Sequence, residues 1–392
     1  MKFRRFALSM TAAAAVVVVG GVVSLALTGC VDTKKAVEDA RKELEMRDYF
    51  TAVDMLLQLS DSKLADTDSI NGILAEAYYG LTVHPLPDIA RGAAGLDFSH
   101  DGKWAVIPDC DGSSISITSP TLYQSTKTIP LDSEPFDLAV SPDGKNVAVA
   151  LNNHLIEIYD ISTWEKVQTL TGHTARVRGV AYGDDNTLYS SSNDRTVRAW
   201  DLESGKEIMS KEPHARNVKA VNVSKDGRYV VTASNDGTSV VLNAKGPDQG
   251  REVMKVVHGG SYVNDAKISP DGKLLITVSG DSNIKFWNVP NGTLYASIDV
   301  GEALGSLDFS PDGKTAVAGG SNYVYVIDVE NRKLISRCPA GNSAIWGIKF
   351  LDNDNFVFVD SSHIYSAPVI RGQKLVDAAR KYIRQNPYGS FG

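Results

Sequence analysis

Cysteine and histidine are scarce in this chain, and neither is clustered. The three cysteines of the 392 residues are Cys30, Cys110 and Cys338, with no C-x-x-C pair, and the seven histidines are scattered. A zinc-finger type of metal site is thereby excluded. Cys110 is expected in a turn of the first strand unit and Cys338 at the end of an outer strand of the sixth. That is too far apart for a disulfide without backbone movement, although an oxidising compartment would permit one. Positive charge is also in deficit: 40 Lys and Arg stand against 47 Asp and Glu, for a formal net charge of -7. No Lys/Arg block occurs beyond the N-terminus, which argues against nucleic acid as a partner. With 43% hydrophobic and 22% charged residues the chain is globular, not disordered.

Only one long apolar run is present, from Phe6 to Leu27, preceded by Lys2, Arg4 and Arg5. It ends in Leu27-Thr28-Gly29-Cys30, which resembles the bacterial lipobox. The resemblance implies that residues 1–29 are a lipoprotein signal peptide and that Cys30 carries the lipid. It places the folded part outside the cytoplasm, anchored to a bilayer through acyl chains. Val31 follows the cysteine where an inner-membrane lipoprotein of enteric bacteria would have Asp. That pattern points to the periplasmic face of the outer membrane in a Gram-negative cell. An uncut transmembrane anchor is the other reading, since the run is long enough to span a bilayer.

Residues 30–81 read as helix. Ala36, Ala40 and Leu44 follow helical spacing, Arg47-Asp48-Tyr49 interrupts it, and Ala52, Val53, Leu56 and Leu57 resume it. A third stretch runs from Ile70 to Leu81. Arg-Asp-Tyr-x-x-Ala between two helices resembles the tetratricopeptide pattern over about one and a half repeats, fewer than such solenoids usually need. A plain helical hairpin fits equally well. Residues 371–392 form a C-terminal helix and tail, with Leu375, Ala378, Ala379, Tyr382 and Ile383 on one stripe. This helix is expected to dock either under the strand domain or against the N-terminal helices.

Between these helical ends, over residues 82–370, one unit recurs seven times. Its tight turns are Asp101-Gly102, Asp143-Gly144, Asp185-Asn186, Asp226-Gly227, Asp271-Gly272, Asp312-Gly313 and Asp354-Asn355, at steps of 42, 42, 41, 45, 41 and 42 residues. β-branched and aromatic strands flank each turn, as in Val147-Ala148-Val149 and Leu274-Leu275-Ile276-Thr277. A period in the low forties with short strands predicts an all-β, seven-bladed β-propeller. Its last outer strand would come from residues 82–87 or 372–376; the first is favoured because Leu375 onward reads as helix.

Blade three carries Gly172-His173, Ser190-Ser191-Ser192-Asn193-Asp194 and Val197-Arg198-Ala199-Trp200-Asp201. This closely resembles the WD40 repeat. The resemblance implies a hydrogen-bonded structural tetrad of His173, Ser190, Asp194 and Trp200, which rigidifies a blade only if every member is satisfied. Blade four keeps His214, Thr232 and Asp236 but has Leu242 for Trp. Blade five keeps Thr277, Asp281 and Trp287, with His258 displaced by one. Val140-Ser141-Pro142-Asp143-Gly144-Lys145 with Ile158-Tyr159-Asp160 in blade two, and Val326-Ile327-Asp328 in blade six, resemble YVTN propellers.

Aligning the units on their Asp turns puts Ala94, Phe136, Arg178, Lys219, Asn264, Gly305 and Trp346 at one position, the entry to each innermost strand. Arg176, Arg216 and Tyr262 lie close by. Four basic residues, three aromatics and one amide make a set typical of binding hot spots, and arginine pairs bidentately with carboxylates. The expected function is an envelope scaffold that binds a protein or peptide partner through this rim, without cofactor, metal or catalysis. The alternative is a YVTN or lactonase-like enzyme, or a small-ligand-binding propeller. An enzyme would need carboxylates or histidines converging on the axis. Only Asp137 and Asp265 come near, and strand alternation is expected to turn them away from the preceding rim position.

Overall fold

The computed structural model describes residues 33–45, 48–60, 67–83, 95–99, 104–109, 112–118, 125–259, 261–340, 343–360 and 363–385, together with the paired strands Val16–Val19 and Val22–Leu25. Cys30, Cys110, Ala94, the Asp101-Gly102 turn and residues 84–87 lie outside them. The chain divides into two compact units, residues 1–82 with 370–392, and residues 83–369.

The first unit is built from four helices: α1 (Thr33–Glu45), α2 (Tyr49–Ser60), α3 (Thr67–Thr82) and α4 (Gly372–Gln385). Asp48 caps α2, accepting the Thr51 N–H on Oδ1 at 3.1 Å and the Thr51 hydroxyl on Oδ2 at 2.9 Å. Ala52, Val53 and Leu56 of α2 and Leu74 and Ala77 of α3 are wholly buried where the two helices pack. Gly80 makes that contact possible, because a Cβ there would fall 2.3 Å from the Tyr49 ring. The C-terminal helix packs against α2 and α3, burying Leu375 and Ala379 and setting Tyr382 edge-on to Tyr78 at 6.4 Å. No helix among the described residues is long and apolar enough to cross a membrane.

The second unit is a seven-bladed β-propeller. Its sheets are antiparallel, with strands in chain order from inside to outside. Blade 1 comprises Asp97–Phe98, Ala105–Asp109, Ser114–Thr118 and Ser125–Pro130; blade 2 runs from Pro135 to Leu170, blade 3 from Val177 to Lys211, and blade 4 from Val218 to Val257. Blade 5 runs from Val263 to Asp299, blade 6 from Ser306 to Pro339, and blade 7 from Gly347 to Pro368 with three strands among the described residues. A donor strand from residues 372–376 is replaced by α4, which is helical there. Blades pack face to face through apolar seams. Ala148, Ala150, Ile156 and Ile158 of blade 2, for example, meet Val177, Val180, Leu188 and Trp200 of blade 3. Each fully buried Val, Leu or Ile of the seam contributes roughly 1.5–3 kcal/mol.

The Asp-Gly turns owe their recurrence to local chemistry. Gly144, Gly227, Gly272 and Gly313 sit at φ of 66–74°, where a side chain is disfavoured. Two residues before each Asp, a serine hydroxyl (Ser141, Ser224, Ser269, Ser310) bonds its carboxylate at 2.6–2.8 Å.

Two rings of β-bulges shape the blades. On the outer strands Thr126, Val167, Ile208, Val253, Tyr295 and Ile335 are each skipped in the pairing. A bulge at that place disrupts the edge ladder that would otherwise recruit another strand. On the inner strands the skipped residues are Phe136, Arg178, Lys219 and Asn264. Blades 6 and 7 repeat the arrangement. Gly305 donates its N–H to Gly319 O while Ser306 holds the register with Gly319, and Trp346 and Gly347 share Val359 in the same way.

Candidate functional site: the channel and its rim

Within blade 3, His173 Nδ1 lies 2.8 Å from Asp194 Oδ2, His173 Nε2 lies 2.7 Å from Ser190 Oγ, and Trp200 donates Nε1–H to Ser190 Oγ at 2.8 Å. All four side chains are buried. Burial opposes ionisation of Asp194, yet the bonds from His173 and Thr196 hold its pKa far below the usual carboxylate range. Blade 4 repeats the chain from His214 to Thr232 (2.7 Å) and Asp236 (3.2 Å). Leu242 brings no N–H, and the Thr232 hydroxyl donates to Val240 O at 3.2 Å. In blade 5 Trp287 bonds Thr277 at 2.9 Å and His258 Nδ1 lies 3.1 Å from Asp281, but His258 Nε2 is buried without a hydrogen-bond partner. The one-residue displacement of His258 breaks that single link and leaves the rest in place. These residues brace the sheets and do not reach the channel.

The channel encloses a cavity of about 470 Å³ walled by the innermost strands. Phe136, Arg178, Lys219, Asn264 and Trp346, aligned by sequence on their turns, all line it, and each is the extra residue of an inner-strand bulge. The bulge swings the extra side chain out of the pleat and towards the axis. Arg176, Arg216 and Tyr262 lie just before the strands and outside the lining.

Two groups form among these residues. Arg176 and Arg178 set their guanidinium carbons 4.2 and 5.1 Å from the Phe136 ring centre, and Arg176 Nε donates to Asn152 Oδ1 at 2.6 Å. Lys219 Nζ lies 4.7 Å from the Tyr262 ring centre and donates to Asn264 Oδ1 at 2.5 Å; Asn264 in turn donates to Leu304 O. Such cation–π contacts contribute about 0.5–1 kcal/mol where exposed and more where dry. Trp346 is 50% exposed and Tyr262 43%; Arg216 is exposed, and the structure brings neither Trp346 nor Arg216 into either group. Burial, and then Arg178, pull the Lys219 ammonium down to about 8.

Below the rim the wall is charged, and here the expectation for Asp137 and Asp265 is overturned. Both line the cavity, because simple alternation does not survive a bulge placed immediately before them. Each accepts a backbone N–H from the next blade at 3.0 Å, Asp137 from Val180 and Asp265 from Leu307. Asp97 does the same to Val140 at 3.0 Å and Asp308 to Phe350 at 2.8 Å. Lys267 bonds Asp308 at 2.7 Å and Lys349 meets Asp97 at 3.2 Å. Around blades 5, 6, 7 and 1 the sign therefore alternates: Lys267, Asp308, Lys349, Asp97. The Asp97 carboxylate, against the cost of burial, pushes the Lys349 pKa up. Burial pushes Asp137 up to about 7 and raises Asp265 as well. Among the described residues no three His, Cys, Asp or Glu side chains group as metal ligands would. Cys338 is buried and forms no disulfide among them.

Residues 164–201, 205–241 and 251–288 match the family described as WD domain, G-beta repeat. Each match starts near the outer strand of one blade and ends on the third strand of the next, so the sequence repeat straddles two sheets and locks them together. The chain is 30% identical over 143 residues to an uncharacterized WD repeat-containing protein of Synechocystis, covering 36% of this chain and 40% of that protein. It is 28% identical to the WD repeat-containing protein slp1 of Schizosaccharomyces pombe, over 44% of this chain and 36% of that one. It is 24% identical to the guanine nucleotide-binding protein subunit beta-1 of Caenorhabditis briggsae, over 51% and 56%. The chain thus spans between about a third and somewhat over half the length of these three relatives. With seven sheets around one channel, this chain is a seven-bladed β-propeller, and three stretches of it, with the tetrads of blades 3 and 5, match the WD domain, G-beta repeat.

Proposed function

We propose that this propeller is a protein-interaction scaffold of the cell envelope, held at a membrane through a lipid on Cys30, and that its partner docks on the channel rim. WD-repeat propellers typically serve as such scaffolds. The observation that carries the reading is the ring of inner-strand bulges. It presents Phe136, Arg178, Lys219, Asn264 and Trp346 to one cavity, with exposed Trp346 and Tyr262 at its mouth. Large aromatics and arginines of this kind dominate binding energy when a partner covers them. The carboxylates of the wall are spent on backbone N–H groups and lysines, which supports binding over catalysis. The lipobox at Leu27–Cys30 supports the anchor, and helices α1–α3 would offer a second docking surface of tetratricopeptide type.

The test is crosslinking in native membranes followed by purification of the partner. Replacing Arg178 and Trp346 together with Ala is expected to abolish recovery without lowering the melting temperature; undiminished recovery would move the contact off the rim. Cys30→Ser is expected to abolish incorporation of an alkynyl fatty acid and release the protein from membranes.

A further inference from the structure

Charge in the helical unit is unevenly placed. The chain as a whole carries a net charge of -7, yet α4 holds Lys374, Arg380, Lys381 and Arg384 against the single acid Asp377. Helices α2 and α3, on which it packs, contain no Lys or Arg. In α1, Lys42 is answered by Glu38 at 4.0 Å and Asp39 at 3.7 Å. Lys374, Lys381 and Arg384 are all exposed and make no ion pair among the described residues. At about 100° per residue they lie within about 80° of one another. That face also carries Asp377 and points away from the buried Leu375 and Ala379. Lys381 and Arg384, three residues apart, repel each other across one turn, and an external anion relieves the repulsion.

The place of this face in the chain says which anion. Only Val31 and Asp32 separate Cys30 from Thr33, the first residue of α1. Three residue steps span at most about 10 Å, so a lipid on Cys30 keeps the helical unit against the headgroups. Because α1 packs on α2, and α4 on α2 and α3, interhelical distances of about 8–10 Å keep every face of the unit within reach of that surface. A tether this short makes a weak attraction intramolecular, so a few cations suffice to choose which face turns to the bilayer. We propose that the Lys374, Lys381 and Arg384 face of α4 lies on an anionic bilayer surface and orients the helical unit on the membrane that holds Cys30. This rests on the lipid anchor of the proposed function and adds the surface that meets the bilayer. The apolar stripe of α4 is already spent on α2 and α3, so the contact is electrostatic, without insertion, and is weakened by salt.

In the experiment, the full chain purified from membranes is reconstituted on vesicles of phosphatidylcholine alone or mixed with phosphatidylglycerol, and flotation isolates the bound protein. A water-soluble amine reagent labels its lysines, and mass spectrometry follows each one. Lys273 of the propeller, with 82% of its side chain exposed, is the reference. Lys374 and Lys381 are expected to be labelled about fivefold more slowly, or slower still, on the mixed vesicles than on phosphatidylcholine. Lys273 should not change, and high salt should remove the difference. Lys381→Gln with Arg384→Gln should return Lys374 to its phosphatidylcholine rate, with melting curves confirming the fold. Equal rates on the two vesicles, or protection that survives high salt, would overturn the inference, while flotation on both leaves the anchor standing. If the chain fails to float with phosphatidylcholine, the anchor reading fails, and the face is judged on the mixed vesicles alone. Flotation there that is lost on changing Lys374, Lys381 and Arg384 together to Gln supports it; flotation that is absent, or that survives those changes, overturns it.

Discussion

Asp137 offers a quantitative test of the channel. Its carboxylate joins two blades: Oδ2 accepts the Val180 N–H of blade 3 at 3.0 Å, while Oδ1 lies where a Cβ on Gly95 of blade 1 would be 3.2 Å away. Burial raises its pKa from the ordinary 3.8 to about 7, against the opposing pull of the backbone bonds and of Lys349. The folded state therefore holds a proton on this group between roughly pH 4 and 7 that the unfolded chain has released. Stability must fall as pH rises through that window, the reverse of the usual aspartate case. A gap of about three pH units, at about 1.4 kcal/mol each, sets a ceiling of about 4 kcal/mol. Asp137 borders the cavity, so water reaches it and the realised penalty is nearer about 1–2 kcal/mol.

Asp137→Asn keeps an oxygen for the Val180 N–H and removes the charge. Lys349 retains Asp97, at 3.2 Å, and the influence of Asp308. Relative to the unmodified protein, the variant is expected to be nearly equal in stability at pH 4 and more stable at pH 8. At about 2–4 °C per kcal/mol for a domain of this size, the gain in melting temperature is about 2–8 °C. The difference between the two proteins isolates the one group, because every other titration is common to both. Parallel stability curves from pH 4 to 8, or a variant less stable at pH 8, would refute the assignment of a neutral carboxyl to the wall.

Other perturbations bear on the frame. His173→Phe is expected to cost about 2–3 kcal/mol in urea denaturation, because buried Ser190 and Asp194 each lose their imidazole partner; His258→Phe should cost about 1 kcal/mol less, since its Nε2 has no partner to lose. Asp236, whose burial is outweighed by bonds from Thr238, Ala215 and His214, is held at about 2. Its contribution is present above pH 3.8 and lost as pH falls through about 2, so Asp236→Asn should flatten the acid limb of stability in that interval. Gly347→Ala would place a Cβ 2.9 Å from the backbone of Gly95 and force blades 7 and 1 apart; a loss of about 1–3 kcal/mol is expected, read as a lower melting temperature.

Much of the frame was legible in the sequence because it is local. An Asp-Gly turn has a mechanism within five residues, and its serine partner sits two positions upstream in four of the blades. The tetrad of blade 3 was legible through its spacing and family pattern. The channel wall was not, because it depends on contacts some 42 residues apart. Asp97 to Val140 and Asp308 to Phe350 join adjacent blades, and Lys349 meets Asp97 across the ring closure; no window of sequence contains these pairs. Asp137 and Asp265 were misdirected for a specific reason. A period-two reading assumes an unbroken ladder, and one skipped residue resets which side of the strand the next one faces. The docking of α4 on α2 and α3 was open for a similar reason: an amphipathic stripe states that a helix packs, not what it packs on.

Phe136, Arg178, Lys219, Asn264 and Trp346, aligned on their turns, share one cavity in spite of the bulges, and the reason bears on how such a ring accommodates variation. Each bulge stands at a nearly fixed offset from its turn, so alignment on the aspartates also aligned the skipped residues. A paired residue of the inner strand must suit both the ladder and the seam between blades, and Val177, Val218 and Val263, which flank the bulges, are all valine and wholly buried. The next residue in each case is skipped by the ladder and answers to neither constraint. In blades 2 to 7 that place is filled by Phe136, Arg178, Lys219, Asn264, Gly305 and Trp346, six different residue types, while the turns use only Asp-Gly or Asp-Asn. The fold demands uniformity where the strands pair and leaves the bulge free. A chain that must repeat one unit seven times can thus still present an asymmetric surface, and the two cations on the blade 3 and 4 side of the mouth are what that freedom has produced here.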